Sequence, residues 1–261
     1  MNIPSYDLTG KVAIITGSTR GIGNAVAHTM GKYGAKVVIT GRKQDACDKA
    51  AEALKAEGID ALGVACEVTK EADRENLIAK TVEKYGRLDI LVNNAGLGGQ
   101  PKKMIDMDED YFDKYVDADL KGLYFMSQLA ARQMKAQGRE DGANPYRIIN
   151  LSSAAGIKAP IGDTVYGACK AAVTHLTKIM ANELARFGIL CNAVAPGYVL
   201  TDMTKDVMAD EKNVAAVTRM ISVRRYAQPE EIASVITFLA SPAAGYVTGV
   251  LIPVDGGMTI N

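Results

Sequence analysis

A repeating order of short apolar runs and helix-like stretches constrains this chain more than any single residue does. Val12-Ala13-Ile14-Ile15-Thr16 is a continuous apolar run that ends in glycine, as expected of a strand buried on both faces of a parallel sheet. A helical stretch follows from Gly21 to about Tyr33, then a strand at Lys36 to Thr40, a helix at Gln44 to Glu57, and a strand at Ala61 to Ala65. Next come a helix over about Lys70 to Tyr85 and a strand at Leu88 to Val92. The second half continues with a long helix from about Glu109 to Gln137, strand Tyr146 to Leu151, helix Val165 to Phe187 and strand Leu190 to Ala195. Helix Pro229 to Leu239 and strand Val250 to Val254 close the series. Strict alternation with tight connections argues for an α/β fold, a parallel sheet of about seven strands doubly wound with helices on both faces.

No linker is long enough to divide the chain, so one domain over residues 1–261 is expected. The polar stretch Gly138 to Pro145 reads as a surface connection. A polar, methionine-containing segment from Tyr198 to Ser222 interrupts the rhythm. Thirty basic and 30 acidic residues cancel, which gives no electrostatic reason to expect nucleic acid or an anionic membrane as partner. No apolar run approaches the roughly 18 residues a membrane-spanning helix needs. Met1 to Lys11 lack the charged-then-apolar order of a signal peptide, so a cytoplasmic location is expected. Cys47, Cys66, Cys169 and Cys191 are widely spaced and read as reduced thiols. His28 and His175 stand alone, which offers neither a metal site nor a hydrolase triad.

Between the first strand and first helix lies Gly17-Ser18-Thr19-Arg20-Gly21-Ile22-Gly23. Glycines at this spacing permit a tight turn and close approach of backbone to a diphosphate, and the helix start presents free N–H groups to it. Dinucleotide binding is implied. A carboxylate at the end of the second strand would bond a ribose 2′-hydroxyl, but this chain has Thr40-Gly41-Arg42-Lys43 there. With Arg42, Lys43 and the nearby Arg20, the expected cofactor is NADP rather than NAD, because guanidinium groups suit a 2′-phosphate.

Tyr166-Gly167-Ala168-Cys169-Lys170 places a phenol and an ammonium on one helix face. A free phenol titrates near pH 10, and a cation held close favours its ionised form, as general acid–base work near neutral pH requires. With 11 tyrosines in the chain such a pair arises by chance alone, and its company gives it meaning. That company is the glycine loop, Asn93-Asn94-Ala95-Gly96, Ser152-Ser153 and Pro196-Gly197.

In that order these motifs resemble the classical short-chain dehydrogenase/reductase family, over about Leu8 to Met258. The resemblance implies a Rossmann-type three-layer fold with a seven-stranded parallel sheet, and NADP(H)-dependent hydride exchange between a ketone and a secondary alcohol. It implies that Tyr166 is the acid/base, that Lys170 supports it and holds the nicotinamide ribose, and that Ser153 orients the substrate oxygen. Ser152 is assigned a structural bond. The resemblance further places Asn94, Ala95 and Gly96 along the adenosine side, and Pro196, Gly197, Val199 and Thr201 near the carboxamide and diphosphate. Glu67, with Val68 beside it, stands where the family usually has Asp to meet the adenine. Asp119 stands where the family usually has Asn, and its charge would oppose a phenolate while favouring a charged Lys170.

Residues 198–222 occupy the place of a substrate lid, and Met203, Val207, Met208, Val214, Val217, Met220 and Ile221 form either an adaptable apolar cover or one buried face of a lid helix. Lys102 and Lys103 either attract an anionic substrate or are solvated loop charges. A 3-oxoacyl thioester, a hydroxysteroid, a sugar or polyol ketone, and a small alcohol all stay open as substrates. Two other readings stay open as well: a dinucleotide-binding regulator impaired by Asp119, and an epimerase or dehydratase. Apolar residues on more than one face of the long helices, Leu123, Phe125, Leu129, Val173 and Leu176, together with the family habit, lead to an expected homotetramer.

Overall fold

The alternating order is observed as seven strands in one parallel sheet. They are β1 Val12–Ile15, β2 Lys36–Gly41, β3 Ala61–Ala65, β4 Ile90–Asn93, β5 Tyr146–Leu151, β6 Ile189–Pro196 and β7 Leu251–Val254, in the spatial order β3-β2-β1-β4-β5-β6-β7. The computed structural model describes residues 5–98, 102–138, 146–202, 204 and 209–261. The helices are α1 Gly21–Lys32, α2 Gln44–Ala56, α3 Glu71–Tyr85, α4 Glu109–Val116, α5 Gly122–Ala136, α6 Thr164–Leu184, α7 Glu211–Met220 and α8 Pro229–Ala240.

Register explains why the strands carry unbroken apolar runs. Ile14 pairs with Val38 on one side and Leu91 on the other, in the middle of the sheet. Ile15 packs with Val26, Met30, Leu54 and Ile236 from α1, α2 and α8, whereas Ile14 packs with Leu77, Met126 and Val173 from α3, α5 and α6. Successive side chains point to opposite faces, so both must be apolar when both faces are covered. Ile14 and Ile15 are fully buried, and each such side chain contributes about 1.5–3 kcal/mol.

One expectation needs correction. The long helix over Glu109 to Gln137 is broken between α4 and α5 by a π-helical turn, Asp117–Lys121. There the Gly122 N–H donates to the Asp117 carbonyl, five residues back rather than four. The wider turn carries Asp119 into the interior, and Gly122 fits because a Cβ would lie 3.0 Å from the Val68 carbonyl oxygen. A period count of apolar residues does not register one inserted residue, and π turns of this kind recur at functional sites.

Within the segment after β6, α7 buries Val217 and Ile221 against Tyr226, with Tyr198, Leu200 and Val214 packed alongside, while Met220 is 44% exposed. Val214, Val217 and Ile221 thus belong to a small core of their own. Met203, Val207 and Met208 lie outside the described residues, as do residues 139–145 of the Gly138 to Pro145 connection. Among the described residues no helix is long and apolar enough to cross a membrane.

Candidate active site

The strand order reverses direction at β1 and β4, and at such a switch point the loops leaving the carboxyl ends diverge and open a crevice. The floor of that crevice is built by reciprocal hydrogen bonds. Thr16 Oγ1 accepts from the backbone N–H groups of Asn94 and Ala95, both at 2.9 Å, and Asn94 Nδ2 donates to the carbonyls of Thr16 at 2.8 Å and Gly17 at 3.0 Å. This lock ends β1 at Ile15, one residue earlier than the apolar run suggests.

Gly17 has φ +62°, and a Cβ on it would lie 2.9 Å from Ala95 Cα. Ser18 is fully buried, its hydroxyl committed to the Ile15 carbonyl at 2.6 Å and the Thr40 N–H at 2.9 Å, so its side chain shapes the loop. Arg20 precedes α1, no side chain caps that helix, and no acid stands in its first turn. The free N–H groups and the positive helix end therefore face the crevice uncompensated. Those features fit the diphosphate of a dinucleotide, which Gly17, Thr19, Gly21, Ile22 and Gly23 would hold. Thr201 lies beside the loop, 3.5 Å from where a Gly21 Cβ would stand. Pro196 ends β6, the Gly197 N–H donates to the Val254 carbonyl at 3.1 Å, and Val199 is buried in the core, leaving mainly its backbone to the site. An exposed ion pair of 3.3 Å links Arg20 to Asp202.

On the adenosine side, Arg42 and Lys43 are exposed and have no ion-pair partner among the described residues. Glu67 is turned to Lys70 at 2.6 Å, and the Val68 carbonyl accepts from Arg74 at 2.7 Å.

The other wall comes from the end of β5 and from α6. Ser152 is buried, its hydroxyl 2.8 Å from the Lys170 carbonyl and 2.9 Å from Thr174 Oγ1. Ser153 is half-buried, and its oxygen accepts from the Ala155 N–H at 3.1 Å, which leaves the hydroxyl proton to point elsewhere. Tyr166 is half-buried and Lys170 is buried, with the ammonium 5.5 Å from the phenol ring centroid, so the two side chains converge as the spacing predicts. The Lys170 ammonium also donates to the Leu151 carbonyl at 3.2 Å and pairs with Asp119 Oδ1 at 2.9 Å. Asp119 Oδ2 accepts from the Leu97 N–H at 3.0 Å. Gly96 lies against Asp119, and a Cβ there would collide with Oδ1. Burial works against the ammonium, but Asp119 and Tyr166 outweigh it, and Lys170 titrates above the ordinary lysine value.

Four contributors escape the motif reading. The Leu151 carbonyl and Leu97 N–H are backbone groups with no residue-type signal. Tyr115 stands edge-on to Tyr166 with centroids 6.4 Å apart, and Tyr111 packs on Tyr115 at 4.7 Å. Their i, i+4 spacing on α4 was the available signal. Lys102 does not stand free to attract an anion: it is paired with Asp108 and sits over the Tyr111 ring. Lys103 is exposed.

Fold and site together define a dinucleotide-dependent oxidoreductase that acts on alcohol and ketone groups. The family described as Enoyl-(Acyl carrier protein) reductase matches residues 17–259. A rabbit (Oryctolagus cuniculus) protein named Dehydrogenase/reductase SDR family member 4 is 37% identical over 250 residues, 96% of this chain and 94% of the relative. The 3-oxoacyl-[acyl-carrier-protein] reductase of Synechocystis is 38% identical over 255 residues, 97% of this chain and 98% of the relative. Among solved structures, a short-chain type dehydrogenase/reductase from Mycobacterium marinum superposes with TM-score 0.91 at 35% identity, covering 98% of both chains. A 7α-hydroxysteroid dehydrogenase complexed with NADH and 7-oxo glycochenodeoxycholic acid gives 0.89 at 35% identity, over 97% of this chain and 95% of that one. The chain belongs to the short-chain dehydrogenase/reductase family, and is an NAD(P)-dependent oxidoreductase acting on CH-OH groups.

Proposed function

We propose that this chain interconverts a ketone and a secondary alcohol with NADP(H), and that Tyr166 is its acid/base. The observation that carries the reading is the convergence of Tyr166 with the charged Lys170 at the same sheet edge as the uncapped glycine loop. When bound, the nicotinamide supplies the hydride in reduction and takes it up in oxidation. Tyr166 gives its phenolic proton to the carbonyl oxygen during reduction and recovers it in the reverse direction. The Ser153 hydroxyl donates to that same oxygen and fixes its orientation. Lys170 keeps a positive charge beside the phenol and offers a donor to the ribose hydroxyls. The loop Gly17–Gly23, Asn94–Gly96 and Pro196–Thr201 bind the rest of the dinucleotide.

NADP is preferred over NAD because Arg42 and Lys43 are exposed, without an ion-pair partner among the described residues, and placed after β2, where a 2′-phosphate would meet guanidinium and ammonium rather than carboxylate. The substrate is a 3-oxoacyl thioester, a hydroxysteroid or a sugar or polyol ketone, covered by residues 198–222 as a lid on a single catalytic domain. Relatives act on the first two classes, going by their names. The enzyme works as a cytoplasmic homotetramer. Tyr124, Phe125 and Ile179 expose apolar surface on the outer helices α5 and α6, and the four cysteines are free thiols.

An NADPH-oxidation screen over ketones, sugars and acyl thioesters tests the reading, with Tyr166→Phe as the control. Turnover of the accepted carbonyl should fall by about 10²–10⁴-fold in the variant, the usual contribution of general acid catalysis. Equal turnover in both proteins removes the phenol from the mechanism, and faster turnover with NADH than NADPH overturns the cofactor assignment.

A further inference from the structure

Lys170 is almost fully enclosed, and so is the carboxylate that faces it. Their side chains are 6% and 0% exposed, and Nζ to Oδ1 is 2.9 Å. An ammonium has three N–H donors. One goes to the Leu151 carbonyl, while Asp119 Oδ1 faces the ammonium as an ion pair, so donor capacity stays free for anything entering the crevice. Asp119 is itself pinned by the Leu97 N–H, and the absent side chain of Gly96 makes its room. Four separate stretches of chain thus cooperate to bring one carboxylate to one ammonium.

We propose that Asp119 is a positioning residue, the counter-ion that keeps Lys170 protonated inside the protein and so able to donate to the cofactor. This rests on the reading of Lys170 as a cofactor-holding residue. A buried ammonium without a counter-ion prefers to lose its proton, so the grip on the ribose would fail at a lower pH if the carboxylate were replaced by a neutral group. The ionisable groups around Lys170 are few. Asp119 comes from the π turn, and Tyr166 and Cys169 come from α6 itself. Tyr115 of α4 faces the Tyr166 ring, and on β5 Tyr146 and Arg147 stand at the opposite end of the strand from Leu151. Burial, then the Asp119 charge, pushes the Cys169 thiol up to about 11, which keeps it neutral beside the pair. Asp119 is therefore the one carboxylate facing Lys170 among the described residues.

Asp119→Asn keeps shape and an acceptor for the Leu97 N–H, so it separates charge from packing. Reduced nicotinamide dinucleotide is titrated by fluorescence into wild type and variant from neutral pH upward, and thermal unfolding is followed at each pH. The alkaline loss of binding should move down by about one pH unit or more in the variant. The sign in unfolding follows from the same charge. The wild-type Lys170, raised when folded, contributes stability below the ordinary lysine value of about 10.4 and loses it as pH rises through the folded value. The variant, lowered when folded, is handicapped at neutral pH and recovers toward that value. The gap in melting temperature should therefore be widest near neutrality, narrow as pH approaches about 10 while the variant recovers, and close only above the raised wild-type value. A constant gap with an unmoved binding limb overturns the proposal. If Asp119→Asn alone does not fold, Asp119→Asn with Lys170→Met decides: a folded double variant supports an uncompensated charge as the cause, and an unfolded one overturns it. Should wild type bind no reduced nicotinamide, the redox reading falls while the melting comparison still decides the counter-ion role.

Discussion

Replacing Gly23 by alanine tests the cofactor cradle at a single methyl group. A Cβ on Gly23 would stand 2.5 Å from Asn94 Nδ2, 2.7 Å from the Gly17 carbonyl oxygen and 2.8 Å from Ser18 Cα. Reaching ordinary contact requires each gap to open by roughly 0.6–0.9 Å, a displacement that overpacked sites accommodate at about 1–3 kcal/mol. Two of the three neighbours are backbone, so trimming Asn94 would not relieve the clash. Alanine is also a better helix former than glycine by about 1 kcal/mol, and Gly23 lies inside α1 with an ordinary helical φ. The two effects largely offset in the free protein, which should melt within a few degrees of wild type. Binding does not share the compensation, because the loop that moves is the one that must meet the diphosphate. Dissociation of reduced dinucleotide, followed by fluorescence titration, should weaken at least about tenfold, equivalent to about 1.4 kcal/mol. A variant that folds normally and binds as wild type does would refute the placement of the diphosphate over Gly17–Gly23.

Removing both cations after β2, as Arg42→Ala with Lys43→Ala, should lower the NADPH-over-NADH ratio in kcat/KM by about tenfold or more, since charge-assisted contacts to a phosphate are worth about 1.5–3 kcal/mol. An unchanged ratio places the discrimination elsewhere. The adjacent serines should separate cleanly. Ser152→Ala loses bonds to the Lys170 carbonyl and Thr174, and should destabilise by about 1–2 kcal/mol in urea unfolding. Ser153→Ala gives up only the bond from the Ala155 N–H, so it should destabilise less than Ser152→Ala while depressing kcat, and the reverse pattern would exchange their roles.

Strand positions were legible because both sheet faces are covered, which forces a run such as Val12-Ala13-Ile14-Ile15 to be apolar throughout and keeps Tyr146–Leu151 buried along its whole length. Catalytic candidates were legible where chemistry needs a residue type, as at Tyr166 and Lys170. What stayed hidden depends on pairings that sequence does not record. The register change at Asp117–Lys121 adds one residue to a turn without altering residue types, so the sequence reads as one helix. Ser18 and Val199 look like cofactor contacts from their place in the motifs, yet their side chains are buried. Whether Lys102 is a free charge depended on Asp108 lying six residues on. The sign of the Asp119 effect could not be set until its distance to Lys170 was known, because a carboxylate in contact with the ammonium acts on that group first.

The reversal of strand order has a consequence for how the molecule can vary. The crevice floor, where the dinucleotide's far end is proposed to lie, is made before Leu97, by Thr16 and Asn94 bonding across to one another. Ser153, Tyr166 and Lys170, proposed to meet the reacting oxygen and the nicotinamide ribose, and the segment proposed as their lid, all follow Leu151. Among the polar links between the two halves, Leu97 to Asp119 and Asp119 to Lys170 run in series. Substitutions in the roof can thus retune which molecule is accepted while the grip stays intact, whereas a change in that short relay is felt on both sides of the seam.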